Sequence, residues 1–221
     1  MMLQLLLFIK HRLTFLWTLA EAFNGLLFRL FFASGIAADA VSVCQRYSGG
    51  TFRFKPATSE DLPDLAAFFQ AQPEESYRYF RPHGFDIGSL QKLYRNPAFI
   101  QLLAFSPEGR IAGYFMIRFF VNRQAYVGFL VGEKYQGRGL AKIMCRIIFD
   151  ICWPNRFRTF ATVSEKNARA LAAYRGINNY KTLKHLPDDY IQIEYTPEGL
   201  VISGREGEWL PGNVFLIFCW L

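Results

Sequence analysis

The sequence predicts an α/β (α+β) domain behind an apolar helical N-terminal extension, and three observations point there. From Thr51 onward, short runs rich in aromatic and β-branched residues alternate with stretches whose apolar positions recur at helical spacing. A glycine-rich turn, Tyr135-Gln136-Gly137-Arg138-Gly139-Leu140-Ala141, joins one such strand-like run to a long amphipathic helix. The first fifty residues, by contrast, are nearly continuous apolar sequence. The 221 residues therefore divide into an extension over 1–50 and a folded domain over 51–221, large enough to bury a substantial core.

Met1 to Ile9 is almost all apolar, Lys10-His11-Arg12 interrupts it, and Leu13 to Ala38 is again mostly apolar, broken by Glu21, Asn24 and Arg29. A spanning helix wants about twenty uninterrupted apolar residues, which neither run supplies cleanly. A cleavable signal peptide is disfavoured, because the positive charge follows the first apolar run instead of preceding it. Three readings stay open. One is an amphipathic helix or hairpin in the membrane interface, on the cytoplasmic side, with Trp17 and the phenylalanines inserted. Another is a helical extension packed on the domain or on a second subunit. The third is upstream sequence foreign to the natural protein. Ser48-Gly49-Gly50 then reads as a linker.

Phe52, Phe54 and Pro56 read as an edge strand whose alternation puts both phenylalanines on one face. Thr58-Ser59-Glu60-Asp61 opens a helix, with Thr58 or Ser59 as N-cap and acids in the first turn, and Leu62, Leu65, Ala66 and Phe69 supply its buried stripe. After the loop Glu74-Glu75-Ser76-Tyr77-Arg78-Tyr79-Phe80-Arg81-Pro82-His83, three strands follow over Ile100 to Phe105, Ile111 to Phe120 and Ala125 to Val131. Pro107-Glu108-Gly109 is the hairpin turn between the first two. Leu140, Ile143, Met144, Ile147, Ile148 and Ile151 then recur at helical spacing, and Pro154 marks the stop. Thr159 to Val163 is another buried strand, Ser164 to Asn167 a junction, and Ala168 to Arg175 a helix. Leu200 to Ser203 and Val214 to Trp220 read as two late strands that extend the sheet or cover its edge.

A glycine-rich turn that opens a helix leaves unpaired amides at the positive end of the helix dipole, a seat for a phosphate or pyrophosphate. Its glycines let the backbone approach an anion, and Arg138 can add a charged donor. The spacing Gln136-x-x-Gly139-x-Ala141 fits neither the phosphate loop of nucleotide triphosphatases nor the dinucleotide fingerprint. It resembles the coenzyme A pyrophosphate loop of the GNAT acyltransferase superfamily. The plain alternative is a tight strand-to-helix turn. Arg53-Phe54-Lys55-Pro56-Ala57-Thr58 resembles the usual opening of that superfamily, and Asn167, Ala170 and Tyr174 fall where its members carry an Asn, an Ala and a helical Tyr. The likeness covers roughly residues 51 to 196. It departs from the pattern after Tyr174, where Arg175-Gly176-Ile177-Asn178-Asn179-Tyr180 replaces a Gly-Phe turn; Asn178 or Asn179 can cap the helix, and Tyr180 can begin the next strand.

The resemblance implies a mixed, mostly antiparallel central sheet flanked by helices, with acetyl-CoA (an acyl-CoA) as co-substrate and direct acyl transfer to an amine. It assigns coenzyme binding to Gln136, Gly137, Arg138, Gly139, Leu140, Ala141 and Asn167, and receipt of the thioester carbonyl to a free amide within Phe129, Leu130 and Val131. Tyr174 would protonate the departing thiolate, a task suited to a phenol that stays protonated at neutral pH. For Asn167 a helix N-cap, and for Tyr174 a satisfied core tyrosine, are the structural alternatives. The general base has no clear carrier: Glu133 and Glu165 read as solvated acids, and water can serve. Tyr79, Arg81 and His83 lie in the loop expected to shape the acceptor pocket, whose aromatic and basic mixture suits a sugar ring or a phosphorylated acceptor; a surface loop with a Pro-His turn is the alternative.

Composition narrows the classes. Apolar residues make up 52%, with 23 Phe and 11 Tyr, and a net charge of +7 fits anionic ligands or a membrane surface. Basic residues are scattered, which argues against nucleic acid. Cys44, Cys145, Cys152 and Cys219 show no metal-binding spacing and no disulfide framework, and His11, His83 and His185 support no zinc site. The expectation is a cytoplasmic enzyme without metal, peripheral on the inner membrane face through residues 1–50 or dimeric through them. Its acceptor would be a small-molecule amine, with an amino sugar on a nucleotide or lipid carrier in surface polysaccharide assembly preferred over a polyamine or amino acid. A coenzyme-binding module without turnover and a membrane-associated adaptor are the competing functions.

Overall fold

The computed structural model describes residues 14–177 and 179–197. The late strands at 200–203 and 214–220, the Asn178 cap, the run 1–13 and Cys219 lie outside the described residues. Two helices come first, α1 (Thr14–Phe31) and α2 (Ala33–Tyr47), followed by β1 (Arg53–Pro56), α3 (Leu62–Gln70), α4 (Ile87–Tyr94), β2 (Phe99–Phe105), β3 (Ile111–Phe120) and β4 (Gln124–Val131). Then come α5 (Leu140–Cys152), β5 (Arg158–Ser164), α6 (Ala168–Ile177), β6 (Tyr180–Leu186) and β7 (Tyr190–Tyr195). The strands form one seven-stranded sheet in the order β1-β2-β3-β4-β5-β7-β6. Every neighbouring pair is antiparallel except β4 and β5, which run parallel.

The elements follow from local chemistry. The Asp61 carboxylate receives the Thr58 amide at 2.7 Å and the Lys55 ammonium at 2.8 Å, which fixes the turn from the edge strand β1 into α3. Gly109, at φ +77°, closes the β2–β3 hairpin with Ser106 and Arg110 hydrogen-bonded at 2.8 Å. Along α5, Leu140, Met144, Ile147, Ile148 and Ile151 are buried as their spacing predicts, and the helix stops at Cys152, before Pro154. Cys145 and Cys152 sit among them, their thiols pushed far up by burial, and burial raises Cys44 to about 12; these are packing residues and not nucleophiles. The sequence reading had no helix at Ile87–Tyr94, where Asp86 Oδ1 accepts the Ser89 amide at 2.9 Å as N-cap.

Two apolar clusters lie on either side of the sheet. One holds α2 and α5 against the strands and includes Phe28, Ile36, Ala40, Val43 and Cys44 from the first fifty residues. The other holds α3 and α4, with Leu62, Leu65, Phe69, Leu90 and Tyr114. The feature that matters for a site is between β4 and β5. They pair only over Gln124–Tyr126 and Arg158–Phe160, whereas β3 and β4 stay in unbroken register from Gly113/Val131 to Phe120/Gln124. Beyond Tyr126 the two parallel strands part, leaving one edge of β4 without a strand beside it.

Candidate active site

The parted strands and the glycine-rich loop border one cleft of about 750 Å³. Gly137 and Gly139 both take φ +75°, so the chain turns from the short 3₁₀ segment Glu133–Tyr135 into α5 with Gly139 as its left-handed N-cap. Lys142 and Ile143 donate back to the Gly139 carbonyl, at 3.0 and 3.3 Å. Among the described residues, no protein acceptor meets the amides of Gly139, Leu140 and Ala141 at hydrogen-bonding geometry. A Cβ built on Gly137 or Gly139 would touch nothing within 4 Å. Three free donors at a helix N-terminus, behind glycines with open space before them, fit a diphosphate.

Of the residues assigned to this loop by sequence, Gln136, Gly137, Gly139, Leu140 and Ala141 line the cleft. Gln136 serves from within, its Nε2 donating to the Val131 carbonyl at 3.3 Å. Arg138 is absent from the lining, and its guanidinium sits 5.7 Å from the Tyr135 ring centre. Lys142, which the sequence reading passed over, is on the lining as the third residue of the helix.

The edge of β4 supplies the second group of donors. Gly132 donates to the Ala112 carbonyl at 2.9 Å, and the register then alternates, so the main chain of Leu130 and Gly128 faces β3. The main chain of Phe129 and Val131 consequently faces the gap. Gln136 donates to the Val131 carbonyl, and among the described residues the amides of both Phe129 and Val131 face the gap without a protein acceptor. Leu130 contributes a side chain to the wall instead of an amide, because its peptide is engaged across β3.

Asn167 and Tyr174 reach the same cleft from α6. The Asn167 Oδ1 accepts the Ala170 amide at 3.0 Å, so it caps the helix while its amide group stands on the cleft wall. The Tyr174 ring lies edge-on to Phe129, with centroids 5.8 Å apart, and to Tyr195 at 5.7 Å and 89°. Burial drives the Tyr174 hydroxyl well above the ordinary phenol range; the field of Cys145 adds to this and Tyr195 partly offsets it. Such a phenol is a poor proton source but a firm hydrogen-bond donor. Tyr195, missed by sequence, is buried in β7 with its hydroxyl interacting with that of Tyr174.

A second cleft of about 380 Å³ opens on the far side of the gap and shares Tyr79, Phe80, Val127, Gly128 and Thr162 with the first. Tyr79 and Arg81 are on its lining, with Arg78 of the same loop, joined by Arg118, Tyr126 and Tyr190 from elsewhere in the chain. His83 does not join them. Its Nδ1 bonds the Gly84 carbonyl at 2.8 Å and its Nε2 lies 2.8 Å from the Tyr114 hydroxyl, inside an aromatic cluster with Phe69, Phe85 and Phe99. With the carbonyl requiring a proton on Nδ1, Nε2 is the acceptor and neither nitrogen is free. Burial lowers its pKa, opposed by the Gly84 bond. Glu165 is engaged with His185 at 3.6 Å, and Glu133 is an exposed residue of the 3₁₀ turn, whereas Glu75 lines the first cleft and pairs with Arg78 at 3.2 Å. Among the described residues, no cluster of His, Cys, Asp or Glu is placed to share a metal ion.

The comparisons agree with this geometry. The model of the Acetyltransferase (GNAT) family matches residues 62–177. The GNAT domain of S. lividans PAT superposes with a TM-score of 0.57 at 21% identity, over 67% of this chain and 92% of that one. RimJ from Mycobacterium smegmatis, in complex with CoA-disulfide, gives 0.55 at 19% identity, over 69% and 85%. Spermidine N-acetyltransferase from Vibrio cholerae, in complex with CoA and spermine, gives 0.52 at 14% identity, over 65% and 92%. None of the curated proteins matches the sequence. At such identities the structural likeness speaks for the fold, and the family match spans more than half of the chain: it belongs to the GNAT acetyltransferase family.

Proposed function

We propose that this protein transfers an acetyl group from acetyl-CoA directly to a small-molecule amine. The observation that carries the reading is the meeting, in one cleft, of the unmatched amides of Gly139, Leu140 and Ala141, the gap-facing amide of Phe129, and Tyr174. When bound, the coenzyme thioester supplies the activated acyl group. The loop amides, with Lys142, would hold its diphosphate, and Asn167 its arm. Phe129 N–H would donate to the carbonyl oxygen as charge develops there. The Tyr174 hydroxyl would donate to the sulfur as the carbon–sulfur bond breaks and the carbon–nitrogen bond forms. The proton shed by the ammonium passes to water, with Glu75 the carboxylate on the cleft wall. Our preferred acceptor is an amino sugar on a nucleotide or lipid carrier. Thiol release from acetyl-CoA over a panel of amines tests the reaction, and calorimetry with acetyl-CoA tests the seat. Binding without turnover on any amine would favour a coenzyme-binding module; no binding would overturn the assignment altogether.

We further propose that α1 rests on a membrane surface. Although Phe28 is buried in the core, much of the polarity of α1 is inverted for a helix on a folded domain. Glu21 and Asn24 turn inward, Glu21 to Arg118 at 2.5 Å and Asn24 to the Phe119 carbonyl at 3.0 Å, while Leu19, Phe23, Leu26, Leu30 and Phe31 point outward at 54–70% exposure. No single described helix is long and apolar enough to span a bilayer, and α1 and α2 are bent by 74°. A helix in the interface plane meets both facts. Flotation with anionic vesicles should carry the wild type and leave the double variant Phe23→Glu/Leu30→Glu behind. Equal flotation of the two would sink the idea, and a dimer broken by the variant would favour a second copy on this face instead.

A further inference from the structure

The cleft on the acceptor side of the gap carries an unusual charge. Its lining brings together the guanidinium groups of Arg78, Arg81 and Arg118, with Tyr79, Tyr126 and Tyr190, and contains no carboxylate. Two of the three cations are already balanced from outside the lining, Arg118 by Glu21 at 2.5 Å and Arg78 by Glu75 at 3.2 Å. Arg81 is not. It is exposed; its Nε donates to the Tyr77 carbonyl at 3.1 Å, and among the described residues no carboxylate reaches its remaining donors. The pKa of Tyr190, across the cleft, is raised by burial and by the fields of Tyr79 and Asp188, with Arg81 partly opposing them. A fork of donors with its charge unspent, at the mouth of a cleft that ends at the acyl-transfer gap, is the arrangement that takes an oxyanion bidentately.

We infer that the acceptor is an amine that also carries an oxyanion, phosphate or carboxylate, held by Arg81 with Arg78 at the mouth of the second cleft while the amine reaches the gap beside Gly128. The inference rests on the acyl-transfer reading. The unbalanced charge of Arg81 disfavours a polyamine, since a flexible polycation would meet a net positive lining. Met116 and Phe80 close in over Gly128, where a Cβ would meet them at 3.1 and 3.2 Å.

The full chain is assayed for thiol release from acetyl-CoA with four matched acceptors: an amino-sugar phosphate, an amino acid, the uncharged amino sugar and spermidine. Nucleotide-linked and vesicle-borne lipid-linked amino sugars form two further arms that separate the carriers. The anionic amines should exceed the neutral sugar and spermidine in kcat/KM by tenfold or more, and Arg81→Gln should remove at least tenfold of that preference. Spermidine used as well as the anionic amines, or a preference untouched by Arg81→Gln, would overturn the inference. Because the reaction itself can fail, inorganic pyrophosphate is also titrated calorimetrically into the protein saturated with coenzyme A. Binding weakened by Arg81→Gln upholds the anion seat even if no amine turns over. Undetectable binding, or binding indifferent to Arg81→Gln, overturns the seat.

Discussion

Gly139→Ala separates a coenzyme seat from an ordinary turn, because the structure provides its own control. Gly139 at φ +75° and Gly109 at φ +77° share a backbone conformation, and a Cβ on either meets nothing within 4 Å. Alanine at each position should therefore cost stability by the same route, left-handed strain of about 1–2 kcal/mol. For a chain of this size that is a drop in melting temperature of roughly 2–8 °C. Their effects on coenzyme A should part. Gly109 closes the β2–β3 hairpin, whereas Gly139 sets the direction of the free amides at the start of α5. An alanine there either keeps the strained turn and puts its methyl where the diphosphate approaches, or relaxes to negative φ and turns the Leu140 amide away. Losing one charge-assisted hydrogen bond is worth about 1.5–3 kcal/mol, or roughly ten- to a hundredfold in Kd. Calorimetry with coenzyme A on both variants, beside melting curves, reads the two effects independently. Wild-type affinity in Gly139→Ala would refute the seat, and an equal loss in Gly109→Ala would show that the effect is global.

Two further outcomes follow from the packing. Tyr174→Phe keeps the ring contacts with Phe129 and Tyr195 and deletes only the hydroxyl, so kcat should fall by about a hundredfold while the melting temperature and the KM for acetyl-CoA hold; equal losses in stability and rate would make Tyr174 a core residue only. Glu194, with 8% of its side chain exposed, takes Arg158 bidentately at 2.6 and 2.8 Å and Lys181 at 3.2 Å, tying β5, β6 and β7. Burial alone would raise its pKa, but the hydrogen bonds and charges of Arg158 and Lys181 outweigh that and hold it below its usual 4.5. Its contribution is thus present above pH 4.5 and lost as pH falls through the depressed value, and Glu194→Gln should cost about 2–3 kcal/mol near neutrality, less than a fully buried pair because Arg158 stays partly hydrated. Urea melts at pH 7 and pH 3.5 check both, and a variant whose deficit does not shrink at the lower pH would contradict the assignment.

What could be read from the sequence is what repeats locally. The helical spacing from Leu140 to Ile151, the glycines ahead of it and the strand before it are neighbours in the chain, so the glycine-rich turn and the start of α5 were legible, although Arg138 lies off the cleft lining and Lys142 on it. The parting of β4 from β5 was not: Val127 to Val131 is the same apolar run whether or not a strand lies beside it, and only the resemblance suggested the gap. Arg118, Tyr126 and Tyr190 belong to β3, β4 and β7, and no pattern in the chain announces that they share a cleft with Arg81. His83 misled for the opposite reason. It stands two residues from Arg81, but the turn at Pro82 carries it into the aromatic cluster around Tyr114, where both nitrogens are spent. Ile87 to Tyr94 was missed because a helix of eight residues containing Gly88 has little spacing to show.

Glu21 and Asn24 looked like flaws in an apolar run, and the structure makes them its attachment. Asn24 bridges the Phe119 carbonyl at 3.0 Å and the Val121 amide at 3.2 Å, satisfying the end of β3, and Glu21 neutralises Arg118 on the acceptor cleft. On the proposed acceptor reading, the front helix would set part of the charge that an acceptor meets. Glu21→Gln tests this directly, since it leaves the shape of α1 and removes the negative charge that Glu21 sets against the Arg118 guanidinium. At a separation of about 8 Å and an effective dielectric near 20, the added attraction for an anionic acceptor is about 2 kcal/mol before screening, so a fall in its KM of roughly three- to tenfold is expected. Raising the salt from 50 to 300 mM should shrink the gain, because Arg118 and Glu21 retain 20% and 29% of their side-chain exposure. An unchanged KM in a variant that melts like the wild type would mean that Arg118 faces away from the bound acceptor, and that α1 is joined to the domain through packing and Asn24 alone.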